Sequence, residues 1–516
     1  MNSLKKYLCL ILVLILILPG CSRNTPAGGK ETEQSVTETA ASAETETQPE
    51  TERETETAAE TEKETETETQ PVQITYLDGI IGEGKPLENA SAGAVSDDEK
   101  GVYEVVAEAY VPAPDIMPGP GWRPGPEPQA GLLTAREWSD SRNAEEFLKY
   151  LAGQDIQSIL SARKIAADGI LRISGLPGLN RLVLKDKDGK VLAQAVSDVY
   201  GKAVLLFDRK AGKELSLMID DEEEMAFQVK GQITDLSFDG HVRDQKADKL
   251  DLMLMVDTTG SMGDELEYLK KELANVVESV YKLNPGMSIR VSVNFYRDEG
   301  DEYVVKYYDF RDDVQDAVAL IASQYSAGGG DYPEAVHTAL DNAIFGHAWR
   351  EDAVKLCYLV LDAPPHREGD YVEVDEQTRV RVENIDGTLE KAVDGAAEKG
   401  IRIIPVVASG AESEVEVLCR YWAFRTGGTY IYLTNDSGIG LYHETPDVPE
   451  TKLEYLNDCL IRVTSEYCGL HYESQREPEP SSWDYPTEPT IWWETDQPIY
   501  EMPVEPTVHE VETAAP

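Results

Sequence analysis

Three short stretches place acidic and hydroxyl side chains where an ion could be held. D-T-T-G-S-M follows the apolar run 250–256, D-A-P-P-H follows the apolar run 354–361, and G-G-G-D-Y-P-E-A precedes an amphipathic segment. If the two runs are buried parallel strands, their carboxyl ends share one edge of a sheet, which is where open α/β sheets bind ligands. Asp257, Thr259, Ser261, Asp331 and Asp362 then converge. Carboxylates and hydroxyls, with no histidine or thiolate, are hard oxygen donors that select Mg²⁺, Mn²⁺ or Ca²⁺ over zinc or copper. The structural alternative is that an Asp closes each strand and a Ser or Thr caps the helix that follows. Tyr296, Arg297 and Asp298 follow another strand and His366 follows Asp362, so these four are candidates for the rim of the site. Solvated hairpin charges and a plain loop histidine are the alternatives for them. His337, beside Val336 and Leu340 in a helical stretch, reads as structural.

The elements that must position these residues alternate in type. Strands are expected at 250–256, 289–296, 303–310, 354–361, 401–407 and 429–433, with amphipathic helices near 313–325, 333–347, 387–399 and 412–426. After the first strand, Leu266, Leu269, Leu273, Val276, Val277 and Val280 recur at steps of three and four, the pattern of a helix with one face on a sheet. Such alternation predicts a doubly wound, mostly parallel α/β sheet with helices on both faces. A hairpin at Asp298-Glu299-Gly300-Asp301 would add one antiparallel edge strand.

D-x-T-x-S after a buried strand, taken with F-Y-R-D-E-G-D-E-Y, G-G-G-D-Y-P-E-A and L-D-A-P-P-H, resembles the von Willebrand factor type A domains and their metal-ion-dependent adhesion site, in particular a hemicentin-like branch. The resemblance spans about 250–468 and implies a Rossmann-like fold. It also implies that Thr259 and Ser261 bind the metal directly, that Asp257 and Asp362 support them directly or through water, and that one position is left for an acidic residue of a protein partner. The departure is at the third loop, where integrin-like members carry a threonine and this chain carries Asp331. Either Asp331 adds a carboxylate to the metal and makes it less electrophilic, or it acts through water or caps a helix beginning at Pro333.

The flanks set the organisation. Lys5 and Lys6, an apolar run over 8–18 and Leu18-Pro19-Gly20-Cys21 have the layout of a secretory signal. The last four residues resemble the lipobox of bacterial lipoproteins, which implies cleavage after residue 20, a lipid on Cys21, and an extracytoplasmic protein anchored to the cell membrane or displayed on the cell surface. Residues 21–100 read as a disordered Thr/Glu-rich stalk, whose segment 30–70 would span about 35 Å as a neutral coil. Residues 101–165 read as a Pro/Gly-rich linker and a short helical segment over 132–151. Residues 166–248 read as a small all-β sandwich resembling transthyretin-like or carboxypeptidase-regulatory-like modules, with turns at Asp188-Gly189 and Tyr200-Gly201. Residues 249–470 form the α/β domain, and 471–516 read as a disordered Pro/Glu/Trp tail.

Composition narrows the function. A net charge of −49, from 96 acidic against 47 basic residues, disfavours nucleic acid and favours divalent cations and basic surfaces. Of the six cysteines, Cys9 falls within the signal and Cys21 at the lipid site. Cys459 and Cys468 are the pair that an oxidising compartment could join, and Cys357 reads as a core residue. The sequence has no G-x-S-x-G elbow, H-E-x-x-H or phosphate loop, so binding is expected rather than catalysis. The expected function is divalent-metal-dependent protein binding or adhesion. A cell-envelope assembly or sensory scaffold is the alternative, and a metal-dependent hydrolase is the remote one.

Overall fold

The computed structural model describes residues 126–239, 246–330, 332–375 and 378–478. The chain first lays down β1 (Thr134–Trp138), α1 (Ala144–Leu151) and α2 (Gln154–Ala162). Seven strands follow, β2 (Gly169–Ser174), β3 (Arg181–Asp186), β4 (Val191–Val196), β5 (Ala203–Phe207), β6 (Glu214–Ile219), β7 (Glu223–Gln228) and β8 (Ile233–Ser237). The α/β portion then runs β9 (Lys249–Asp257), α3 (Leu266–Leu283), β10 (Ser288–Tyr296), β11 (Val305–Lys306), α4 (Val314–Ala322), α5 (Val336–Phe345) and β12 (Val354–Leu361). It continues with β13 (Tyr371–Asp375), β14 (Thr378–Arg381), α6 (Ile385–Lys399), β15 (Ile401–Val407), α7 (Ser413–Thr426), β16 (Tyr430–Leu433), β17 (Glu454–Tyr455) and α8 (Leu456–Tyr467).

The main sheet has the order β11-β10-β9-β12-β15-β16-β1-β17. Its five central strands are parallel, so both faces must be covered. Along β9, Leu250, Leu252, Leu254 and Val256 join the core under α3, α4 and α8, while Met253 and Met255 join the core under α1, α5, α6 and α7. This two-sided burial explains why the strand reads as one apolar run. In α3, the six aliphatic residues picked out by their spacing are all buried.

The expected single antiparallel edge is corrected to two. β11 pairs antiparallel with β10 at one end, and at the other β1 pairs antiparallel with β16 and β17 antiparallel with β1. The strand expected over 303–310 shrinks to two residues because side chains take over its ladder: Ser292 Oγ donates to the Tyr308 carbonyl at 2.7 Å, and the Tyr308 amide donates to Asn294 Oδ1 at 2.7 Å. The stretch 101–165, expected as linker and helix, supplies β1 to the main sheet. Thr134-Ala-Arg-Glu-Trp138 is too short and too charged to signal a strand, yet Glu272 of α3 accepts hydrogen bonds from the Gly131, Leu132 and Leu133 amides at 2.8, 2.9 and 3.0 Å and leads it into place. Cys459 and Cys468 are free and buried, as are Cys357 and Cys419.

Two small sheets, β5-β2-β8 and β4-β3-β6-β7, pack around their own core as the expected sandwich. All pairs are antiparallel except β2 with β8. The sandwich is inserted between α2 and β9, and it meets the α/β portion at the amino ends of the parallel strands. There Arg402 donates to the Val196 carbonyl and Arg181 pairs with Glu398 at 3.0 Å. The opposite, carboxyl-end edge of the sheet is left open. Among the described residues no helix is long and apolar enough to cross a membrane. The expectations for 1–100, Cys21 and the tail beyond 478 lie outside the described residues.

Candidate functional site

Asp257 ends β9 and is fully buried. Its Oδ1 accepts from the Thr259 amide at 2.8 Å and from Thr259 Oγ1 at 2.6 Å, which folds the chain back at the sheet edge. The Thr259 and Ser261 hydroxyls lie 3.2 Å apart, and Ser261 faces solvent on the 3-10 turn Gly260–Asp264. Thr258 points the other way and bonds the Tyr296 carbonyl and the Tyr303 hydroxyl. Asp362 directly follows β12, and β9 and β12 are neighbours in the sheet, so the loops after the apolar runs 250–256 and 354–361 do meet.

The glycine loop closes over them. Gly260 donates to the Gly328 carbonyl and Ala327 to the Thr258 carbonyl, each at 3.0 Å. Gly328 and Gly329 have φ of +79° and +70°. A Cβ on Gly328 would meet the Asp301 carboxylate at 2.2 Å, and one on Gly329 would meet Glu334 Oε1 at 2.7 Å and Thr259 Cβ at 3.0 Å. Only glycine serves both the backbone and the space here. Asp331 falls outside the described residues. The helix expected from Pro333 starts at Val336, with Ala335 at its cap position.

Glu334 is the residue that sequence reasoning missed. Placed in the first turn of an expected helix, it lies instead ahead of α5, 2% exposed, with its amide donating to the Pro364 carbonyl at 2.9 Å. Three carboxylate oxygens at this end of the sheet, Asp257 Oδ2, Asp362 Oδ1 and Glu334 Oε2, are buried without a hydrogen-bond partner, and a fourth, Glu265 Oε1, has only the His443 ring 2.7 Å away. The Tyr296 hydroxyl faces Asp257 and lowers its pKa somewhat, but the two do not reach good hydrogen-bond geometry. Burial raises the pKa of Asp257, Glu334 and Asp362, and mutual repulsion among them raises the last two further. A hydrogen bond with Ser261 offsets part of the rise at Asp362.

The four rim candidates are buried, which corrects both the rim assignment and the reading as solvated charges. Tyr296 and His366 are wholly inaccessible, and Arg297 and Asp298 are 2% exposed. Arg297 donates to the Thr258 and Tyr325 carbonyls and lies between the Tyr303 and Tyr325 rings. His366 Nε2 meets Asp298 Oδ1 at 2.6 Å. These side chains brace the loops from below and cannot touch a partner. His337 is buried with its pKa pushed down to about 4, a neutral core imidazole.

The donor set suits a hard cation: carboxylate oxygens left unsatisfied, two hydroxyls beside them, and no nitrogen or sulfur. Among the described residues no three Cys, His, Asp or Glu side chains are arranged to hold a metal by themselves.

Residues 251–418 match the family model of the von Willebrand factor type A domain, and a domain of that family lies there. Over 120 residues the chain is 33% identical to an ariadne-like RING finger protein of Acanthamoeba polyphaga mimivirus. That alignment covers 23% of this chain and 11% of the relative, so the chain spans about a tenth of that protein's length, and the similarity carries no function across.

Proposed function

We propose that the type A domain binds a protein partner through a divalent cation, Mg²⁺ or else Mn²⁺ or Ca²⁺, held by Thr259 and Ser261 with Asp257 and Asp362 behind them, and with Asp331 as a further ligand that the sequence offers. Domains of this family typically serve protein binding and are usually non-catalytic. The observation that carries the reading is the set of three buried carboxylate oxygens without a partner at the open end of the sheet. Leaving such groups unsatisfied costs about 1–3 kcal/mol each, and more when charged, so a bound cation would relieve a cost that the chain otherwise meets by holding protons there. When bound, a cation of this kind offers an electrophilic position to a carboxylate of the partner. The chain's own part is to hold Asp257 through Thr259, to present Ser261 to solvent, and to keep the basic side chain of Arg297 turned away into backbone contacts. Residues 1–20 as a secretory signal and a lipid on Cys21 would place this surface outside the cytoplasm at the membrane or cell surface, for adhesion or capture.

The test is calorimetric titration of the whole chain with each cation, beside Ser261→Ala and an Asp257→Ala, Ser261→Ala double variant. Saturable binding that weakens in the first and vanishes in the second, with both still folded, supports the reading. A folded parent that takes up none of the three cations refutes it.

A further inference from the structure

The loop 362–366 that carries Asp362 contains two consecutive prolines, so it has few amides with which to fasten itself. Its carbonyls must find donors elsewhere. The Glu334 amide takes the Pro364 carbonyl at 2.9 Å. The next two are taken by a side chain from a distant part of the chain: Arg163 Nη2 donates to the Pro365 carbonyl and Nη1 to the His366 carbonyl, both at 2.6 Å. Arg163 stands just past the end of α2, ahead of the sandwich and outside the segment that matches the type A family. It is 3% exposed. Its remaining donors are spent on Glu414 of α7, with Nε at 2.9 Å and Nη2 at 2.8 Å, and on Asp386 of α6 at 3.5 Å. The planar fork of a guanidinium fits two successive carbonyls and a carboxylate at once, which an ammonium cannot do. The chain takes a left-handed turn at Lys164, φ +60°, immediately after delivering this side chain.

Asp362 depends on this clamp more than an ordinary site residue would. One of its carboxylate oxygens has no hydrogen-bond partner and the side chain otherwise meets, among the described residues, only the solvent-facing Ser261, so the backbone of its loop does much to fix where it points. We infer that Arg163 is a positioning residue for the cation site: it holds the loop of Asp362 from outside the type A domain and makes the segment ahead of the sandwich part of the site. This rests on the cation reading above. Arg420 fastens the same segment to the same domain through Asp140, yet it touches none of the site loops, so it separates positioning from mere attachment.

The test compares Arg163→Lys, Glu414→Gln and Arg420→Lys in the whole chain by Mn²⁺ titration, amide hydrogen exchange over 361–368 and thermal melting. Arg163→Lys is expected to weaken Mn²⁺ binding about tenfold or more, as loss of a residue supporting metal ligands does, and to speed exchange in the loop. Glu414→Gln, which loosens Arg163 without altering the donors on the carbonyls, is expected to do the same to a smaller degree, and it carries the test if Arg163→Lys does not fold. Because Glu414 also holds Arg367 of the same loop, an Arg367→Gln variant, expected to change affinity less, separates the two contacts. Arg420→Lys is expected to lower the melting temperature with affinity and loop exchange unchanged. Unchanged affinity in Arg163→Lys or Glu414→Gln, or equal losses in Arg420→Lys, overturns the inference while leaving the cation site standing. A parent that takes up no Mn²⁺ overturns the cation reading and this inference with it.

Discussion

Arg420→Met tests how firmly the segment ahead of the sandwich is built into the α/β core. Arg420 and Asp140 are each 2% exposed in their side chains and form a two-pronged pair, Nε to Oδ2 at 2.9 Å and Nη2 to Oδ1 at 2.7 Å. Arg420 also donates to Glu416 at 2.7 Å and lies 3.6 Å from the centre of the Tyr150 ring. Methionine fills much of the space but leaves the Asp140 carboxylate with Trp138 Nε1 as its remaining side-chain donor, at 2.8 Å. Removing one partner of a buried pair costs roughly 3–5 kcal/mol, because the other charge stays behind without compensation. At about 2–4 °C per kcal/mol this lowers the melting temperature by roughly 6–20 °C. An Asp140→Leu, Arg420→Met double variant removes both charges and is expected to lose less than the single variant, about 1–2 kcal/mol, chiefly for the stranded Trp138 donor. The assay is urea unfolding followed by tryptophan fluorescence. A loss below about 1 kcal/mol in the single variant, or a double variant worse than the single, would refute this account of the attachment.

Glu334→Gln tests the electrostatics of the site by pH. A carboxyl whose folded pKa is raised stabilises the fold fully at low pH, and that contribution is lost as pH rises from its unfolded value through the folded one. The variant should therefore match the parent near about pH 4 and exceed it by at least about 1 kcal/mol near pH 8 in chelator-treated protein, with saturating Mg²⁺ shrinking the gap. A gap that is flat with pH would count against it. Gly329→Ala should cost about 1–3 kcal/mol, because an alanine at φ +70° is strained and its Cβ meets Glu334 and Thr259; thermal melting reads this, and an unchanged midpoint would show that the loop is looser than described. Ser261→Ala, at a solvent-facing position, should change stability by less than about 0.5 kcal/mol while weakening cation uptake, which calorimetry and melting together resolve.

The sequence made the centre of the sheet legible because those strands are buried on both faces and each ends on a residue type that stands out. Asp257 and Asp362 could be placed from the apolar runs before them, and α3 from its spacing. What stayed hidden depends on contacts distant in sequence. β1 carries Arg136 and Glu137 in five residues and becomes a strand only because β16, some 300 residues later, offers it an edge. Asp298 looked like a solvated hairpin charge because its partner His366 is 68 residues away. Glu334 was assigned to a helix because Asp-Tyr-Pro-Glu imitates a helix start, whereas its amide is committed to Pro364 in another loop. A charge in a sequence window does not say whether it is buried, since burial depends on a partner the window does not contain.

The way this chain treats its other buried acids gives the site its meaning. Asp251 at the start of β9 is held by Arg290 and Arg350, with side-chain contacts between 2.7 and 3.0 Å. Asp140 has Arg420, Glu414 has Arg163, and Glu272 accepts three backbone amides. Asp298 has His366. Each inaccessible carboxylate away from the site thus receives a positive or donor group from the fold itself. At the carboxyl ends of β9 and β12 the same chain brings Asp257, Asp362 and Glu334 together, and among the described residues no arginine or lysine pairs with them, although Arg297 passes close enough to bond the Thr258 carbonyl. Repulsion among buried charges of one sign opposes folding unless protons or a cation share the space. That contrast is what the proposed cation would answer: with it bound the three carboxylates share a positive charge, and without it their raised pKa values let protons take its place.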